Sequence, residues 1–181
     1  MLARAQGRTR LEPEPFRELD CLLNLDVSHN QLQRMSFSAG SASMELPPTL
    51  TNIDMSHNLI TRITGLGKCR DLRVLNVSHN RIRNITGLEH LRDLRELDIE
   101  KNQITNNLSI RPLSFNRSLE VLKIEGNEIT RDPGYRVTLF VLVPHLKKAA
   151  KTAGQPSVKV TSPISSLGKK SFAATLASDV S

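Results

Sequence analysis

The chain has no tryptophan, one tyrosine and five phenylalanines among its 181 residues, so aromatics make up only 3%. A core without large rings must be aliphatic, and Leu and Ile fill layers well when the layers recur. Cysteine is equally scarce. Cys21 and Cys69 alone exclude a disulfide framework and offer no metal-ligand spacing. No apolar run approaches the ~20 residues that span a bilayer, and the N-terminus carries no signal-like apolar stretch. These absences predict an intracellular, cytoplasmic chain without membrane insertion. There is also no nucleophile elbow, no phosphate-binding glycine loop and no paired His/Cys constellation. The expectation is a protein that is not an enzyme and holds no cofactor or metal.

Hydrophobic residues reach only 38%, low enough to place part of the chain outside any core. The formal charge of +7 is uneven. Residues 147–181 hold six lysines against Asp179, whereas residues 1–20 balance four Arg with four acids. Residues 149–181 are rich in Ala, Ser, Thr and Lys without periodicity and read as a disordered basic tail. Residues 1–15 read as a flexible N-terminal segment.

Between these ends the sequence repeats itself. VSHN occurs at 27–30 and 77–80, and MSHN at 55–58. Aligned on these strings, five frames start at Leu22, Leu50, Leu72, Leu94 and Leu119: LLNLDVSHNQL, LTNIDMSHNLI, LRVLNVSHNRI, LRELDIEKNQI and LEVLKIEGNEI. Each fits L-x-x-L-x-L-x-x-N-x-L, with Ile, Val or Met allowed at the apolar positions, and successive starts lie 28, 22, 22 and 25 residues apart. The alternating pairs Leu25/Val27, Ile53/Met55, Leu75/Val77, Leu97/Ile99 and Leu122/Ile124 predict short strands with one buried face, stacked in parallel about 4.8 Å apart. The Asn column, Asn30, Asn58, Asn80, Asn102 and Asn127, falls where the chain turns inward. An amide there both donates and accepts, so it satisfies turn backbone in its own coil and the next.

The third frame continues with Ile85, Leu88 and Leu91, and the second with Ile63, Leu66 and Cys69 in the matching slots. This ITGLxxL phrasing resembles the 22-residue repeats of the SDS22-like leucine-rich-repeat family. After the fifth frame, RDPGYRVTLFVLVPHLKK resembles that family's C-terminal cap: Pro133 starts a helix, and Tyr135, Leu139, Leu142, Val143 and Leu146 recur at helical spacing. Two departures are visible. Glu128 stands where the family usually has Pro, and the closing Leu-Asp is absent after Leu146. The resemblance implies an α/β solenoid, a right-handed coil with a parallel concave sheet, 3-10 turns on the convex side and a capping helix. The domain would span 16–148, with the cap at 131–148, and Phe16 and Leu19 covering its first strand. Two insertions break the period, one within SFSAGSASMELPP and one within TNNLSIRPLSFNRS. Both are expected to bulge from the loop side.

The residues between the buried strand positions face the concave side: Asp26, Asp54, Asn76, Asp98 and Lys123, with Glu96, Glu100 and Glu125 among their neighbours. Six acids and one base in fifteen positions, within a chain of net positive charge, suit a basic partner segment. Asp26, Asp54, Asn76, Asp98, Glu96, Glu100 and Glu125 are therefore the candidate partner-binding residues. His29, His57 and His79 also form a column, but no carboxylate or Cys completes a ligand set.

The functional expectation is a protein–protein interaction adaptor, a monomer within a hetero-complex. The resemblance implies a small subunit of an intracellular assembly, cytoskeletal or ciliary. Two alternatives stand beside it: a regulatory subunit of a protein phosphatase, and a nucleic-acid-associated factor, similar to a spliceosomal protein, that uses the basic tail. The tail lacks aromatics except Phe172, which disfavours base stacking.

Overall fold

The computed structural model describes residues 2–4, 22–35, 37–39, 42–44 and 46–149. Cys21, Phe16, Leu19 and the tail beyond Ala149 lie outside the described residues. The strands, in chain order, are β1 (Leu2–Arg4), β2 (Asn24–Asp26), β3 (Phe37–Ala39), β4 (Ala42–Met44), β5 (Asn52–Asp54), β6 (Val74–Asn76), β7 (Glu96–Asp98), β8 (Val121–Lys123) and β9 (Lys148–Ala149). One helix, α1 (Tyr135–Leu142), precedes β9.

Seven strands form one parallel sheet in the order β1-β2-β5-β6-β7-β8-β9. Five of them come from the five frames, in the register Leu25↔Ile53↔Leu75↔Leu97↔Leu122. Each frame strand is only three residues long, and its central residue is buried. The flanking residues point to the other face, as the two-residue period of a strand requires. The sheet gains a strand at each end. Leu2–Arg4, in the stretch expected to be flexible, pairs with Asn24–Asp26, and Lys148–Ala149 pairs with β8.

The interior is a single aliphatic stack running from Leu22 to Leu146, in which Tyr135 is the only aromatic ring among the described residues. No coil buries its own apolar edge, so stability comes from contact between neighbours. Cys69 fills a core slot as a small buried hydrophobe, with its thiol 3.4 Å from the Pro47 carbonyl oxygen.

The two insertions are built differently. The first forms a two-stranded antiparallel ribbon, β3 against β4, separate from the main sheet. The second does not bulge. Its three extra residues lengthen the convex crossing into a 3-10 helix, Asn107–Phe115, which buries Ser109, Ile110 and Leu113. Asn106 caps it by accepting from the Ser109 N–H at 3.1 Å. Just beyond its end the fully buried Asn116 amide donates to the Leu88 and Leu91 carbonyls at 2.7 and 2.9 Å, tying the lengthened crossing to the coil before it. A second 3-10 turn covers Glu128–Arg131. Helix α1 starts two residues after Pro133, which is itself exposed. The helix lays Tyr135 and Leu139 on the last coil, with Leu142 half-buried and Leu146 buried beyond it.

Candidate functional site

Two parallel columns of side chains lie four positions apart in the chain, and the fold treats them differently. The Asn column closes each coil. Asn80 donates through Nδ2 to the carbonyls of Met55, Val77 and Ser78, and its Oδ1 accepts from the Ile60 N–H at 2.9 Å. Asn58 does the same with Val27, Met55, Ser56 and the Leu32 N–H, and Asn102 with Val77, Ile99, Glu100 and the Ile82 N–H. Asn127 donates to Ile99 and Ile124 and accepts from Ile104. Asn30, in the first described coil, donates to Val27 and Ser28 in its own turn. All five are buried.

The second column is the concave row Asp26, Asp54, Asn76, Asp98, Lys123, aligned by strand register. Each acidic member, and Asn76, turns one oxygen back to accept the N–H two residues on: Asp26 from Ser28, Asp54 from Ser56, Asn76 from Ser78 and Asp98 from Glu100, at 2.9–3.1 Å. This local bond holds the carboxylates at the strand ends while leaving them half-exposed. Asp26, Asp54, Asn76, Glu96, Asp98 and Lys123 line one shallow concavity of about 360 Å³. Glu100 and Glu125 stand outside it, in the next row, which also contains Ser28, Ser56 and Ser78.

Comparison with known proteins agrees with this geometry. Residues 48–90 match a family model of leucine-rich repeats in two copies, and residues 90–107 match a single leucine-rich repeat. This is a leucine-rich-repeat solenoid. A leucine-rich-repeat protein of Leptospira interrogans superposes with a TM-score of 0.58 at 20% identity, over 80% of this chain and 41% of that one. The leucine-rich-repeat domain of APL1B gives 0.57 at 20% identity, over 82% of this chain and 40% of that one. The solenoid thus spans about two-fifths of the length of each. A structure of the Drosophila melanogaster SNF/U2A' complex gives 0.50 at 18% identity, over 82% of this chain and 71% of that one. At these identities the likeness is one of fold. No curated protein matches the sequence.

Within the solenoid the acidic row is not uniform. Lys123 Nζ lies 2.9 Å from Glu96 and 3.4 Å from Asp98, so one ammonium offsets part of the charge of two carboxylates in the C-terminal half of the concavity. The hydrogen bond to Glu96 holds the Lys123 ammonium above its usual pKa, and Asp98 adds to the effect. Toward the N-terminal half, Asp54 accepts from the Asn76 amide at 3.0 Å and makes no ion pair among the described residues. Partial burial raises the Glu100 carboxyl above its ordinary range. Asp98 and Glu125 push the same way, while Lys123 and Lys101 oppose them. Burial sets the sign, and the like charges of Asp98 and Glu125 reinforce it. Lys123, the one base in the concave pattern, thus offsets its C-terminal acids and leaves the N-terminal end untouched by it.

The residue before each Asn is left-handed: His29, His57, His79 and Lys101 have φ of 50–56°, and Gly126 takes 75°. This conformation aims the three imidazoles outward in a stack, with centroids 4.2 and 3.9 Å apart. Burial lowers the His57 pKa, and the neighbouring His79 and His29 add to the effect. Among the described residues no group of His, Cys, Asp or Glu is placed to hold a metal, and no helix is long and apolar enough to cross a membrane.

Proposed function

We propose that the solenoid is a non-catalytic adaptor whose concave face binds a basic segment of a protein partner. Leucine-rich repeats point to protein–protein interaction as the general role. The observation that carries the finer reading is Asp54, half-exposed in the concavity without an ion pair among the described residues, with Asp26 one strand away in register and Lys123 at the opposite end. Carboxylates one strand spacing apart repel each other, and a ligand cation between them relieves that repulsion. Asp26, Asp54, Asn76, Asp98 and Glu96 would contact the segment directly, and Glu100 and Glu125 would extend the field beyond the concavity. Helix α1, with Tyr135, Leu139, Leu142 and Leu146, acts in this reading as an SDS22-type cap that keeps the last coil closed. The cytoskeletal, ciliary and phosphatase settings rest on the resemblance of the repeat phrasing alone.

The test is direct binding of a labelled Lys/Arg-rich peptide to the full chain, together with affinity capture from cell extract. Wild type should bind, and the Asp26→Asn/Asp54→Asn/Asp98→Asn variant should weaken binding at least tenfold and lose the dominant captured protein. A variant with the tail lysines changed to Gln should keep both. Unchanged binding in the Asn variant overturns the concave reading. Loss only in the tail variant moves the activity to residues 149–181.

A further inference from the structure

A second face of the solenoid carries the opposite charge. Immediately past the Asn column each coil continues along the side of the stack, and the coils are laddered there by backbone bonds: Leu59 N–H to Leu32, Arg81 to Ile60, Gln103 to Ile82 and Ile129 to Ile104, at 2.8–3.0 Å. The residues one, three and four places after each Asn project from this lateral strip, flanking the buried Leu or Ile. In the five coils these fifteen positions hold Arg34, Arg62, Arg81, Arg83 and Arg131 against one acid, Glu128. All five arginines are exposed, and none forms an ion pair among the described residues, in contrast to Lys123 on the concave face. Eight of the other nine positions are Gln, Asn or Thr, and none is aromatic.

The strip ends in a groove of about 890 Å³ between the third and fifth coils. Arg83 and Arg131 line it, with Asn84, Gln103 and Thr130, and Glu128 is also in its wall. Arg83 Nε donates to Gln103 Oε1 at 3.2 Å, which fixes the guanidinium at the groove's edge.

We propose that this lateral strip binds an acidic peptide segment, with an oxyanion side chain, a carboxylate or a phosphoryl group, seated in the groove between Arg83 and Arg131. Guanidinium forks recognise planar and tetrahedral oxyanions with paired donors, and this strip uses Arg throughout. Amide and hydroxyl side chains both donate and accept. That suits a peptide backbone, which presents N–H and C=O groups alike, whereas a phosphodiester backbone presents acceptors only. The missing aromatics remove the platform on which single-stranded bases stack. Five coils at about 4.8 Å span roughly 20 Å, the length of six or seven extended residues. The solenoid would then hold two segments of opposite sign on adjoining faces, with the His29–His57–His79 stack between them.

Fluorescence anisotropy with the full chain tests this, using a Glu-rich twelve-residue peptide, the same peptide carrying phosphoserine, and a twelve-nucleotide oligouridylate. The expected result is binding of an acidic peptide that weakens with salt and falls by about tenfold or more in an Arg62→Gln/Arg83→Gln variant. Preference between the two peptides assigns the seated group as carboxylate or phosphoryl. Changing Lys151, Lys159, Lys169 and Lys170 to Gln should leave most of the peptide affinity, as should Asp54→Asn, so failure of the concave reading and of this one are separable. Tighter binding of the oligonucleotide than of either peptide overturns the proposal. So does full peptide affinity in the Arg variant, or loss of affinity only in the tail variant. Circular dichroism of the Arg variant should match wild type, because both residues are exposed.

Discussion

The Asn column and the Asp row lie four residues apart in the same coils, yet one is buried and the other half-exposed on the concave face. Asn80 makes four hydrogen bonds in a buried site, three to carbonyls and one from an N–H. Asp54 makes one bond back to its own turn and one to Asn76, and stays half-exposed. The difference teaches that repetition alone does not reveal role. A recurring polar residue is structural where the chain turns inward and backbone loses water. It stays at the surface where the pleat points it outward.

The sharpest way to break the comparison is to cut one residue from each column. Asn80→Ala leaves the Ile60 N–H without its acceptor, while the Met55, Val77 and Ser78 carbonyls each keep one donor, from Asn58, Asn102 and the His57 N–H, and it should cost roughly 1–3 kcal/mol in urea unfolding. A loss under ~1 kcal/mol would mean that the turn re-forms its bonds without the amide. Next comes Gly126→Ala, which places a Cβ 2.7 Å from Lys101 Cγ at φ +75°. It should lose about 1–2 kcal/mol by the same assay. The matching His57→Asn should stay near neutral, because Asn tolerates the left-handed region. Asp54→Asn should shift stability by no more than about 0.5 kcal/mol, since an amide oxygen can still accept from Ser56. The same change should weaken a basic peptide measurably.

The smallest effect is one of pH. The Glu100 carboxyl is raised in the folded state, so its proton is held more tightly there than in the unfolded chain. The stabilisation this provides is present below the unfolded carboxyl range and is lost as pH rises through the raised value. Glu100→Gln should therefore raise Tm slightly at pH 7 and show no gain near pH 4. A gain that is the same at both values would remove the electrostatic explanation. His57 works in the other direction. Its lowered pKa means that stability present at neutral pH is lost as the imidazole protonates on acidification, and His57→Asn should flatten that decline.

Much of the fold was legible because strand and coil periods are local. Leu25, Ile53, Leu75, Leu97 and Leu122 could be placed in register from spacing alone, and the structure puts them there. The fourth-coil insertion was not legible as core. Asn107–Phe115 shows no long apolar run, and its burial depends on Ile110 and Leu113 reaching layers set by other coils. Nor was Asn116 legible: its amide matters only because Leu88 and Leu91 present two carbonyls to it from the preceding coil. The end strands β1 and β9 fall outside the repeat pattern, because sheet edges accept backbone of any sequence that reaches them. The arginines of the lateral strip carried a signal that could have been read. They recur at fixed offsets from the Asn column, just as the acids do.

The sequence by itself determined the coil. Its eleven-residue phrase sets which side chains point inward, where the chain turns, and that neighbouring coils must stack to bury their apolar edges. Only the tertiary structure decided which polar side chains meet across coils. It brings Lys123 onto both Glu96 and Asp98, shuts Glu100 and Glu125 out of the concavity, and sets Arg83 and Arg131 on one groove from opposite sides of an intervening coil. The reason is physical. Inward and outward follow from the chain's own dihedral period. The distance between two charges on different coils depends on rotamers, insertions and twist, none of which is written at either position.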